Sequence, residues 1–149
     1  MVTNFDFDIV AHFDRILWRA AILGIEIDLQ VLESDIRAAF TAIIRYGRGL
    51  ELNTTHLGDE LDWSQPLMTM LGWYREEGGR EVVVNSDAHR ASEIGRHRQL
   101  AQQILASVDL GLARPLGSVA ANSTSSVLPP PAMGWDSSRF QVYFIEISG

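Results

Sequence analysis

Cysteine is absent from this chain of 149 residues, which removes disulfides, thiolate metal sites and cysteine nucleophiles together. Lysine is absent as well. All twelve basic residues are arginine, so neither a Schiff-base lysine nor a P-loop lysine is available. No apolar run reaches the roughly 18 residues that span a bilayer. The first residues, Met1 to Asp6, carry no basic stretch of the kind that opens a signal peptide. The formal net charge is −7 and no basic stripe interrupts it, which argues against a nucleic-acid partner. Neither G-x-G-x-x-G, nor a Walker loop, nor G-x-S-x-G occurs, and Ser86 has no nucleophile-elbow context. The expectation is a cytoplasmic globular protein without a membrane partner.

What is present is an α/β pattern. At 46% hydrophobic and 21% charged, the composition suits an ordinary core. A strand-then-helix unit recurs three times in the first hundred residues. Asp6 to Ala11 reads as a strand ending at His12. Ile16 to Leu23 suits a short helix stopped at Gly24. Ile36, Ala39, Phe40, Ile43 and Ile44 follow helical spacing, with Ser34 as the expected N-cap and Gly47 and Gly49 as stops. Leu50 to Asn53 is a second strand, and Gln65 to Glu77 a helix ending at Gly78-Gly79. Glu81 to Asn85 is a third strand, with a helix expected to begin near Ser92. Alternation of this kind predicts βαβ units and a parallel sheet. Residues 1–113 form the expected domain. Residues 114–149 read as a Ser/Pro-rich linker followed by a strand over Phe140 to Ile147.

The polar residues gather where the strands end. His12 follows the first strand with Asp14 beyond it, Asn53 closes the second, and Asp87 and His89 follow the third. In parallel α/β folds, ligands sit at the carboxyl ends of strands. An Asp and a His two residues apart can share a face and hold a borderline divalent cation. Each residue also has a plainer role. His12 alone suits a hydrogen-bonded surface histidine, Asp-x-His suits a turn with a cap, Asn53 suits a turn, and Asp14 with Arg15 suits a solvated face. His56 and His97 read as exposed, and the tryptophans as packing residues.

Four ordered stretches carry a family likeness. They are Phe7-Asp8-Ile9-Val10-Ala11-His12-Phe13-Asp14, Gly49-Leu50-Glu51-Leu52-Asn53-Thr54-Thr55, Trp73-Tyr74-Arg75-Glu76-Glu77-Gly78-Gly79, and Ser86-Asp87-Ala88-His89-Arg90 with Ile94-Gly95. Over roughly residues 5 to 112 the chain resembles the PHP (polymerase and histidinol phosphatase) superfamily, in its histidinol-phosphatase branch. The resemblance implies a distorted, TIM-like (β/α)7 barrel with a metal cluster at its mouth. It implies hydrolysis of L-histidinol phosphate to L-histidinol and phosphate. It implies metal ligation by His12, Asp87 and His89, with Asn53 beside the metal or the substrate. It also implies that Arg90 and Arg19 bind the substrate phosphate, a group that a guanidinium fork suits.

The family's opening His-x-His is missing, and a barrel of this type needs about 250 residues. The expectation is therefore a partial barrel, the C-terminal portion of the family's fold, holding at most one Mn, Zn or Fe ion. Its activity would be impaired, and it would pair as a homodimer or with a separate N-terminal half. Two alternatives stand beside this one: a non-catalytic half-barrel that serves as an interaction module, and a PHP phosphoesterase acting on nucleic-acid ends.

Overall fold

The computed structural model of the protein describes residues 7–58, 64–113 and 142–143. The chain is an α/β protein built on a parallel sheet. Strand β1 (Ile9–Val10) leads into α1 (Arg15–Leu23) and α2 (Leu29–Arg45). β2 (Gly49–Asn53) is followed by α3 (Ser64–Glu76), and β3 (Glu81–Asn85) by a 3-10 turn (Ala91–Glu93) and α4 (Arg98–Ser107). β4 (Gly111–Leu112) and β5 (Val142–Tyr143) are short. The sheet order is β4-β3-β2-β1-β5, and every pairing is parallel. Among the described residues no helix is long and apolar enough to cross a membrane.

Alternation along the strands separates two faces. Val10, Leu50, Leu52 and Val82 share one face and enter the core with Phe40, Ile43, Leu67, Met70, Leu71, Tyr74, Ile104 and Leu105 from the helices. Leu50, Leu52, Leu67 and Leu71 are fully buried, each contributing about 2 kcal/mol of apolar burial. The other face carries Ile9, Ala11, Glu51, Asn53, Val83 and Asn85. Its members Glu51 and Asn53 are buried polar groups, so this face needs internal hydrogen bonds.

The helix before Gly24 forms as expected: Gly24 takes the left-handed conformation at φ 64°, and its N–H closes onto Ala20 and Ala21. The start of α2 differs from expectation. Ser34 lies inside the helix, and the cap is Asp28, whose carboxylate accepts the Gln30 N–H at 2.9 Å. Only a 3-10 turn forms near Ser92. Gly95 and His97 both have positive φ, which delays α4 to Arg98. β4 has no counterpart in the sequence reading. Of the segment expected as linker and strand, only Val142 and Tyr143 are described, and they pair with Ile9 and Val10. The rest of residues 114–149 lies outside the described residues.

Candidate functional site

β1, β2 and β3 lie side by side and end at the same rim. At the first exit His12 adopts φ 58°, and at the third Asp87 adopts φ 47°. Left-handed backbone is uncommon for a residue with a side chain, though Asp and His tolerate it better than most. Each such turn swings the chain away from the sheet directly after a strand.

Glu51 ties the rim together from within β2. Its buried carboxylate accepts the backbone N–H of His12 at 2.9 Å and the Asn85 side-chain amide at 2.7 Å. One side chain thus joins the ends of β1 and β3. The loops beyond are stitched in the same way. Thr54 N–H donates to the Asn85 carbonyl at 2.8 Å, and the Thr55 hydroxyl to the Ser86 carbonyl at 3.0 Å. The buried Thr54 hydroxyl reaches the Arg96 carbonyl at 2.6 Å, which anchors the approach to α4.

Asp14 is buried beside this network, not on a solvated face, although Arg15 next to it is exposed. Burial pushes the Asp14 carboxyl up to about 7; a hydrogen bond to its own backbone opposes the shift and the nearby Glu51 charge adds to it.

The residues expected to hold a metal do not assemble. Among the described residues no group of three His, Asp or Glu side chains is placed to hold an ion. His12, Asp87 and His89 share the rim without forming a ligand set. The two histidines also differ in form. The His89 Nδ1 lies 2.9 Å from the Asp87 carbonyl, which can only accept. The neutral His89 ring therefore carries its proton on Nδ1 and keeps a lone pair on Nε2, the form a metal ligand requires. The His89 backbone N–H is held by the Glu93 carboxylate at 3.0 Å. The His12 Nδ1 lies 3.1 Å from the Asn53 amide nitrogen, so its lone pair is already engaged by a donor.

Asn53 is buried at the end of β2. Arg90 is exposed and caps the 3-10 turn. Arg19 is exposed on α1 with its guanidinium 5.5 Å from the centre of the Trp18 ring. His56 departs from the exposed loop expected for it. It is half-buried and stacks on Trp18, with ring centroids 4.0 Å apart. His97 is exposed, as expected.

Glu51, Asn85 and Asp14 are the polar residues missing from the expected set. One signal points to two of them: Glu51 and Asn53 are two apart on one strand, and Asn85 is in register with Asn53 on the next. No family model, curated protein or solved structure matches this chain.

Proposed function

We propose that the chain is a phosphomonoester hydrolase of the histidinol-phosphatase type, built as part of a TIM-like (β/α)7 PHP barrel. One observation carries the reading. Three adjacent parallel strands deliver His12, Glu51 with Asn53, and Asn85 to a single hydrogen-bonded rim, and the Asp87-x-His89 pair follows directly. A polar rim at the carboxyl ends of parallel strands is where such folds bind ligands. Arg90, which follows β3 at the start of the 3-10 turn, and Arg19 on α1 are exposed guanidinium groups suited to a phosphate. The substrate is a small phosphorylated amino alcohol, L-histidinol phosphate.

The family's chemistry uses divalent metal, and the fit here is incomplete. His89 has the tautomer of a ligand, whereas the His12 Nδ1 is occupied by Asn53 and no three-residue set forms among the described residues. No step of the reaction is therefore routed through a metal held by His12, Asp87 and His89 together. The same observation favours a second reading, a non-catalytic half-barrel that binds phosphate esters without turning them over.

Phosphate release from L-histidinol phosphate, measured with Mn, Zn or Fe(II) and after chelation, separates the two. The enzyme reading expects slow release that requires metal and disappears in His89→Ala. Release indifferent to chelation and to His89→Ala removes the metal-dependent enzyme. Absence of release with all three metals leaves the binding module.

A further inference from the structure

We infer that Asn53 fixes His12 as its Nε2–H tautomer, a form in which neither ring nitrogen offers a lone pair to a metal ion. The inference deepens the proposed function by taking His12 out of its metal-ligand set, and the tautomer itself does not depend on that reading.

The argument begins at Thr55. Its backbone N–H donates to the Asn53 Oδ1 at 2.8 Å. A backbone N–H can only donate, so the atom facing it is the amide oxygen. A flipped amide would bring two donors together. The other end of the Asn53 side chain is then its NH2, and this group lies 3.1 Å from the His12 Nδ1. An NH2 cannot accept. A proton on Nδ1 would face the amide hydrogens, so Nδ1 is the acceptor. The neutral ring consequently carries its proton on Nε2.

Two features hold this arrangement in place. Asn53 is buried, which makes an unmade bond at either end of its amide costly. The His12 backbone is separately clamped by the Glu51 carboxylate at 2.9 Å. A metal ligand needs a lone pair. The Nε2 of His12 has a hydrogen in its place, and the Nδ1 lone pair is spent on Asn53. The contrast with His89 is internal to one rim: a carbonyl selects the Nδ1–H form there, and an amide selects the Nε2–H form at His12. Asn53 is thus a positioning residue that acts through His12.

The test is long-range 1H–15N correlation on the full chain labelled at histidine nitrogen, at pH 8 without metal, with His12→Gln identifying the signals. An unprotonated Nδ1 and a protonated Nε2 at His12 are expected. A protonated Nδ1 overturns the inference. Asn53→Asp keeps an acceptor for the Thr55 N–H and replaces the amide donor by a carboxylate oxygen. The protonation pattern of His12 should then reverse; a folded Asn53→Asp chain with the pattern unchanged removes Asn53 from the role, and the wild-type spectrum decides the tautomer whether or not that variant folds. Adding zinc alone should leave the His12 nitrogens in place, and a shift of Nε2 on zinc overturns the non-ligand role. Absence of histidinol-phosphate turnover with all these results intact counts against the proposed enzyme alone.

Discussion

Asp14 shows how one residue at the rim couples to pH. Its carboxyl is raised from 3.8 to about 7, chiefly by burial and further by Glu51. Between those values the folded chain keeps a proton that the unfolded chain has lost. Ionisation then favours the unfolded state, and stability falls as pH rises through this window, by up to about 1.4 kcal/mol per pH unit. Above about 7 the contribution is flat, because both states are ionised. Asp14→Asn keeps the shape and removes the titration. We expect the variant and the parent to unfold at similar urea concentrations near pH 4, and the variant to be the more stable at pH 8. A parent that gains stability relative to Asp14→Asn between those pH values contradicts the assignment. Nothing in the sequence marks Asp14 as buried. Asp14-Arg15 reads as a charged surface pair, and only the turn at His12 directs the aspartate inward while Arg15 stays outside.

The secondary-structure elements were readable wherever the hydrophobic period was strong. α1, β2, α3 and β3 lie within a residue or two of their expected places. Their signals are local: helical spacing of apolar residues, a β-branched run at Val82 to Val84, and glycine at the ends. The beginnings of α2 and α4 were less readable because each offers two competing signals. Ser34 and Asp28 are both able caps. Asp28 wins because Leu29 and Leu32, which precede Ser34, are partly buried in the helix. Ser92 opens a turn, but the positive φ angles at Gly95 and His97 prevent its continuation.

The junction of α3 with β3 is tightly specified. The Tyr74 ring packs directly against Gly79, at the place where a Cβ would stand, and Tyr74 is itself buried in contact with Phe40. The ring cannot move aside without disturbing the core. Gly79→Ala should therefore destabilise the chain by about 1–3 kcal/mol, the cost of overpacking, read as a lower denaturation midpoint at unchanged m-value. Gly72→Ala is the control: it lies in α3 with open space beside it, and helix propensity predicts no loss. Equal stability of Gly79→Ala and the parent would show that the ring has room.

At the scale of the whole molecule, the sheet's two faces were unequally legible. The apolar face followed from alternation. The polar face did not, because Glu51 between Leu50 and Leu52 has the pattern of a solvent-facing residue, and sequence alone does not show that this side is buried. Its burial follows from how the strands are assembled, through partners at His12 and Asn85 that lie 39 and 34 residues away along the chain. The helical layer is also incompletely covered. Ile16, Ile22, Leu23, Ile25 and Val31 are all exposed and fall on α1, its following loop and the first turn of α2. Scattered apolar residues are normal on a surface, but five in so short a stretch are of the kind that drives association. Arg15 and Arg19 are balanced in that stretch by Glu26 and Asp28, so it carries no net charge to oppose association. We expect self-association that strengthens with concentration in size-exclusion chromatography with light scattering. Replacing Ile22 and Leu23 together by Glu should shift the chain to monomer without loss of helix content, since both side chains are exposed. A parent that stays monomeric across the accessible concentration range, or a variant that associates as strongly as the parent, would show that this stretch makes no such contact.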